Sequence, residues 1–195
     1  MNKTTKAIAL LFTAGLVLAG CGQKQDSTAT TQAQAKAETT TAAPTTATPT
    51  TATPTTVAQA KTDMPADAKK TVFEAAVKGG TETLTLYYKD DALLKQETVE
   101  VYTLSQLEVE NPLEKLQNNT ARTKEALKDF IGKGFEYNTE HKGDIFTITY
   151  SFDYTKIDLD KLKEKIPGLN LRDDKTLSYS EFKEALLKGG YKEKQ

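Results

Sequence analysis

FEYNTEHKGDIFTITYSFDY, Phe135 to Tyr154, is the stretch on which the fold turns. Phe135, Tyr137 and Thr139 alternate with Glu136, Asn138 and Glu140, the period of two that a strand with one buried face imposes. Lys142-Gly143 supplies a turn. Beyond it Phe146, Ile148, Tyr150, Phe152 and Tyr154 share one face, and Ile145, Thr147, Thr149, Ser151 and Asp153 share the other. The spacing predicts a β-hairpin with one core face and one wetter face.

On its N-terminal side, TVFEAAVKGGTETLTLYYKDDALLKQETVEVYTL, Thr71 to Leu104, reads as a three-strand meander punctuated at Gly79-Gly80 and Asp90-Asp91. Leu84 and Leu86 alternate with Thr83 and Thr85. Val99 and Val101 alternate in the same way with Thr98 and Glu100, which gives the two valines the apolar side of their strand. The first strand is the ambiguous one, because Phe73, Ala76 and Val77 also fit a helical face. Between meander and hairpin, Asn111-Pro112-Leu113-Glu114 reads as a helix start, with Asn111 as cap and Glu114 completing a capping box. Leu116, Leu127, Phe130 and Ile131 give that helix an apolar side, and Gly132 and Gly134 end it.

Two further helices follow the hairpin. Asp158 caps the first, with Ile157 and Leu162 as a hydrophobic staple, and Pro167-Gly168 closes it. Ser178-Tyr179-Ser180-Glu181 is a capping box, stapled by Leu177 and Phe182, for a helix stopped by Gly189-Gly190. Consecutive antiparallel strands with two or three helices, without strict strand–helix alternation, predict an α+β domain over residues 67–195. Its length suits one ordinary domain.

Three segments carry a family resemblance: GTETLTLYYKDDALLKQ, ITYSFDYTKIDLDKL and SYSEFKEALLKGGYKE. In this order they resemble the YehR-like family of small bacterial lipoproteins, a domain of unknown function. The resemblance covers most of residues 71–195. It implies an antiparallel sheet with Thr71–Val77 as a strand, and it supplies no activity.

The N-terminus reads differently. Lys3 and Lys6 precede an apolar run from Ala7 to Leu18, and residues 1–20 have the order of an export signal. The run is shorter than the roughly 20 apolar residues of a spanning helix. Leu18-Ala19-Gly20-Cys21 resembles the lipobox of bacterial lipoproteins, which implies cleavage between Gly20 and Cys21. It also implies a diacylglycerol on the Cys21 thiol, with the freed amine open to a further acyl group. Two acyl chains hold a protein stably where one does not. The expected location is therefore a membrane surface facing away from the cytoplasm. In a Gram-positive cell this is the outer face of the plasma membrane; in a Gram-negative cell Gly22 resembles an outer-membrane sorting context. Residues 21–66 contain the pentads TTAAP, TTATP and TTATP and almost no large apolar side chain, so they read as a disordered tether. Such a coil of about 45 residues spans on the order of 35–40 Å. Threonine with proline is also the composition of an O-glycosylated stalk.

Composition narrows the function. Cys21 is the only cysteine, so the domain holds no disulfide, thiolate catalyst or cysteine-based zinc site. With 26 basic and 27 acidic side chains the net charge is −1, which argues against nucleic acid. No phosphate-binding loop, dinucleotide fingerprint or serine-nucleophile elbow is present. His141, the single histidine, lies beside the predicted hairpin turn. Asp153, Asp158 and Asp160 cluster, as do Asp173 and Asp174, but neither group matches a calcium loop. Phe146, Tyr150, Phe152 and Tyr154 are either core or the lining of a pocket for an apolar or sugar ligand.

The expected function is a lipid-anchored, non-enzymatic module that binds an envelope protein or a small molecule, with no metal and no cofactor. An envelope hydrolase using carboxylates or His141 is the alternative, and a structural scaffold is the third. Carboxylates converging in an open cleft favour the hydrolase. A filled sheet face with scattered acids favours binding.

Overall fold

The computed structural model describes residues 64–166 and 168–194. The export signal, Cys21 and all but the last three residues of the expected tether lie outside the described residues. So does Pro167.

The chain begins with the meander. Strand β1 (Lys69–Val77), β2 (Gly80–Lys89) and β3 (Ala92–Thr103) pair antiparallel in sequence. Thr71–Val77 is strand, not helix, because pairing with β2 places Phe73 opposite Leu84 in the core. Helix α1 (Pro112–Ala126) leads to the hairpin of β4 (Phe135–Lys142) and β5 (Ile145–Asp153). Helix α2 (Leu159–Lys165), the two-residue strand β6 (Leu177–Ser178), helix α3 (Tyr179–Lys188) and the short strand β7 (Lys192–Lys194) complete the chain.

The sheet runs β4-β5-β3-β2-β1-β7, with β6 added to the start of β3. The hairpin therefore docks through β5 on β3, the last strand of the meander. One sheet face carries Phe73, Leu84, Leu86, Phe135, Phe146, Ile148, Tyr150 and Phe152 into a single apolar cluster. Leu116 of α1, Leu162 of α2 and Leu186 of α3 join that cluster, each about 1% exposed. Thr83, Thr85, Thr147, Thr149 and Ser151 occupy the other face and are half-buried. The expected α+β architecture is the one observed.

Local geometry departs from the sequence reading in four places. The hairpin turn lies one residue later than expected: Lys142 still pairs with Ile145, and the two loop residues are Gly143, at φ +59°, and Asp144. Asn111 does not cap α1 with its side chain. It takes a left-handed conformation, and its carbonyl accepts from Lys115 N–H. The helix ends at Ala126 rather than near Ile131, because Leu127 leaves helical geometry and a 3₁₀ turn at Lys128–Phe130 follows. That break turns both Leu127 and Phe130 into the core, and leaves Ile131 39% exposed.

The fourth departure concerns β3. Tyr87 pairs with Lys95 and Tyr88 with Leu93, so Leu94 is an extra residue, a β-bulge. A one-residue insertion flips the facing of everything after it. Leu93 faces the core, and so do Gln96, Thr98, Glu100 and Tyr102. Val99 and Val101, expected inside, lie on the half-buried outer face.

The end caps of the later helices follow expectation. Asp158 Oδ1 accepts from Lys161 N–H at 3.1 Å. Ser178 Oγ accepts from Glu181 N–H at 3.2 Å. Ile157 and Leu162 are buried beside the first cap.

Candidate functional site

The bulge creates the most unusual group in the molecule. Glu82 on β2 and Glu100 on β3 stand directly opposite each other in the ladder. Their side chains are 1% and 0% exposed. Carboxylates almost never reach this depth unless a counter-charge or a proton accompanies them. Tyr102 Oη donates to Glu100 Oε2 at 2.8 Å. Glu100 Oε1, both carboxyl oxygens of Glu82 and the Tyr191 hydroxyl make no close, well-aligned hydrogen bond, although the Tyr191 phenol approaches Glu82 and the Tyr150 phenol approaches Glu100 as donors. Tyr191 lies between α3 and β7, and its phenol faces Glu82.

The electrostatics follow from depth. Burial pushes the Glu100 carboxyl up to about 7, opposed by the Tyr102 phenol and reinforced by the charge of Glu82. Burial raises Glu82 as well, against the pull of Tyr191. Desolvation and the nearby glutamates hold the Tyr102 and Tyr150 phenols firmly protonated. A second polar group lies further along β3: Tyr154 Oη donates to Gln96 Oε1 at 2.9 Å, and Gln96 Nε2 donates to Thr98 Oγ1 at 3.1 Å.

The sequence-derived candidates fall elsewhere. Phe146, Tyr150, Phe152 and Tyr154 are core, at 2%, 3%, 1% and 9% exposure. Phe152 packs against Phe135 at 4.6 Å between ring centroids, and stacks on Tyr154 at 5.9 Å. The gap that Phe152 and Tyr154 share with Gln96, Leu162 and Ile166 is about 10 Å³, room for one water at most. Among the described residues these four side chains are thus packed as core, and the gap beside Phe152 and Tyr154 is too small for an apolar or sugar ligand. His141 is exposed near the hairpin tip, its Nε2 2.8 Å from the Gly143 carbonyl oxygen.

The aspartates serve local structure. Asp153 accepts from Thr155 and pairs with Lys156 at 2.9 Å. Asp158 caps α2, Asp160 pairs with Lys175, and Asp174 accepts from Thr176 and reaches Arg172. Among the described residues no three His, Cys, Asp or Glu side chains gather as a metal cluster.

Two open depressions flank α1. One, of about 370 Å³, runs between α1 and β4 and is lined by Gln117, Thr120, Lys124, Tyr137, Asn138 and Thr139. The other, of about 310 Å³, lies between α1 and the end of α2, with Arg122 and Lys165 over Leu127 and Ile166. Neither is lined by a carboxylate or a histidine. Period-two reading alone carries a signal for the buried pair, since Glu82 is in phase with Leu84 and Leu86. The bulge that brings Glu100 into phase has no such signal.

Comparison with known proteins gives a consistent picture. Residues 69–192 match the family described as a protein of unknown function, DUF1307. The chain is 30% identical over 125 residues to the uncharacterized lipoprotein Lin0239 of Listeria innocua, covering 62% of this chain and 78% of that protein. The NMR structure of the E. coli YehR protein superposes with a TM-score of 0.51 at 20% identity, covering 67% of this chain and 93% of YehR. That likeness establishes a shared fold.

Proposed function

The chain belongs to the DUF1307 family of proteins of unknown function, and from that premise we propose that it is a lipid-anchored envelope protein whose folded domain binds a ligand and performs no catalysis. The anchor rests on the export-signal pattern of residues 1–20, on Leu18-Ala19-Gly20-Cys21, and on the lipoprotein name of the Listeria relative. No helix among the described residues is long and apolar enough to cross a membrane. Diacylation of Cys21 would hold the chain at the membrane. Cys21→Ser is expected to shift the protein from the membrane to the soluble fraction or leave it unprocessed. Lipid labelling equal to wild type would refute the anchor.

One observation carries the choice of binding over hydrolysis. Glu82 and Glu100 converge but are sealed in the core, whereas the two grooves flanking α1 are lined by no carboxylate or histidine. A hydrolase needs its carboxyl groups within reach of substrate and water. The α1–β4 groove has the volume of a small-molecule site and is lined by amides, hydroxyls and one ammonium. It suits a polar ligand with many hydrogen-bonding groups. Native mass spectrometry of the chain purified gently from its own envelope tests this. The expected result is a reproducible extra mass that Gln117→Ala with Asn138→Ala removes. A bare mass, or an adduct indifferent to those substitutions, would overturn the groove assignment.

A further inference from the structure

Strand β4 ends the sheet on one side and pairs only with β5. Asn138 to Lys142 are exposed whichever face their side chains occupy, so no other described element covers this edge. The backbone groups that point off the sheet can be named. Lys142 and Ile145 close a two-residue loop, which makes them a hydrogen-bonded pair, and such pairs recur at every second residue. Glu136, Asn138, Glu140 and Lys142 therefore turn their N–H and C=O groups to β5, whereas Tyr137, Thr139 and His141 turn theirs outward. The flanking bonds agree. The Gly134 carbonyl accepts from Asp153 N–H, but the Phe135 carbonyl turns away from β5 and accepts from Gly132 N–H at 3.0 Å. The outward groups of Tyr137, Thr139 and His141 hydrogen bond to no other described element.

An unpaired run of this kind is a template for a further strand. It is fixed at both ends, by the Gly132–Phe135 bond at its base and by the bonds of Leu104 N–H and Ser105 N–H to Asp144 at its tip. Neither a bulge nor a proline blunts it. Its charges select a partner. Against an antiparallel second copy, outward groups meet outward groups when Thr139 faces its own copy. Glu136 then stands opposite Lys142 of the second copy, and Asn138 opposite Glu140, at the positions where paired strands approach most closely. A slip of two residues sets Glu136 opposite Glu140 in one direction and Glu140 opposite its own copy in the other, and directly opposed like charges destabilise a strand pair. Glu136, Glu140 and Lys142 are exposed and make no ion pair among the described residues.

We propose that β4 pairs antiparallel with β4 of a second copy of this chain, with Thr139 at the two-fold axis, so that two sheets join into one. The contact is isologous: Tyr137 meets His141, His141 meets Tyr137, and Thr139 meets itself, each pair exchanging two backbone hydrogen bonds. Two Glu136–Lys142 ion pairs flank the axis and set the register. A contact through one strand edge is smaller than the roughly 1,200 Å² at which stable interfaces begin. It is therefore weak between free chains, and confinement at a membrane through the proposed anchor strengthens it by raising the local concentration. The α1–β4 groove shares Tyr137, Asn138 and Thr139 with this edge, but the pairing uses their backbone and does not depend on a ligand.

The test is crosslinking of the full chain in isolated membranes with a short bismaleimide. Fractionation of the wild-type chain beforehand separates a failed anchor from a failed contact, since the reaction is run on whichever fraction holds the chain. Wild type shows what Cys21 contributes. Thr139→Cys should add a product of twice the chain mass, because the two copies of that residue meet at the axis. Glu136→Cys should add none, because its copies lie six residues apart along the paired strands, about 20 Å. In the Thr139→Cys background, Glu136→Lys alone or Lys142→Glu alone sets like charges opposite each other and should cut the yield about tenfold. The two reversals together should restore it. All these positions are exposed, so the fold tolerates the changes. Absence of the doubled mass, equal yield from Glu136→Cys, or a yield indifferent to charge reversal would overturn the pairing. A Thr139→Cys crosslink to some other protein alone would assign the edge to a different partner and overturn it equally.

Discussion

Asp91 ties together parts of the chain separated by more than eighty residues. It follows Asp90, whose φ of +53° turns β2 into β3. Its Oδ2 accepts from Arg172 Nη1 at 2.8 Å and from Ser178 Oγ at 2.9 Å, and its Oδ1 accepts from Ser180 N–H at 2.8 Å. The carboxylate therefore reinforces the N-terminus of α3, where backbone N–H groups and the helix dipole favour negative charge. Burial works to raise the Asp91 pKa, but the Ser180 N–H, the two serine hydroxyls and Arg172 together hold it below the usual carboxylate value. A depressed folded-state pKa gives stability that is present above the unfolded value, near 4, and is lost as pH falls through the folded one. Because the carboxylate is 42% exposed and its charge partly screened, Asp91→Asn is expected to cost about 0.5–1 kcal/mol at pH 7. In urea titrations the variant should lose less stability between pH 5 and pH 3 than wild type does. Equal acid sensitivity would remove Asp91 from the account. Gly134 is a second residue with a defined demand. It sits at φ +100°, and a Cβ there would lie 2.6 Å from Ile157 Cγ1 and 2.8 Å from the Asp153 carbonyl oxygen. Gly134→Ala combines backbone strain with a clash against main chain, and should destabilise by about 2–4 kcal/mol, read as a lowered urea midpoint at unchanged slope.

At the scale of elements, β3 separates what pattern reveals from what it hides. Its valines invite the reading that Val99 and Val101 face the core, because apolar alternation is the strongest signal a strand gives. The bulge at Leu94 overrides it, and the pattern of Thr98, Glu100 and Tyr102 goes inward instead. Val99→Thr with Val101→Thr is therefore expected to cost under about 1 kcal/mol per residue, the scale of half-exposed strand positions. A loss of several kcal/mol in chemical denaturation would mean that the valines are core after all. The same bulge explains why the buried carboxyl pair was invisible from sequence. Glu82 lies in phase with Leu84 and Leu86 and could have been suspected, but its neighbour across the ladder is fixed only once the register of β3 is known. The hairpin of β4 and β5 was legible because its aromatic residues alternate without interruption. The caps at Asp158 and Ser178 were legible because capping depends on residues within one helical turn. Asn111 misled for the opposite reason: its residue type suits a cap, but it also suits the left-handed conformation it adopts. The short strands β6 and β7 carry no pattern of their own and exist through pairing with β3 and β1.

At the scale of the whole molecule, the described residues contain a complete core. Strands β1 to β6 and all three helices contribute to one apolar cluster, closed near the C-terminus by Tyr191 at 4% exposure. A boundary near Asp67 follows from composition, since aromatic and branched residues return there and the threonine–proline pentads end before it. Stability should accordingly reside in residues 67–195, and the role proposed for residues 21–66 is reach. A fragment of residues 67–195 is expected to give a well-dispersed amide spectrum. Its thermal midpoint should lie within about 2 °C of the full chain, the shift that roughly half a kcal/mol produces at this size. A collapsed spectrum, or a midpoint lower by about 10 °C, would show that residues before 67 pack on the domain and belong to its core. Removing the three pentads from the full chain separates the two roles further. The midpoint should not move, while, under the proposed anchoring at Cys21, an accessibility probe on the domain should report a shorter distance to the membrane, because the deletion shortens the proposed tether.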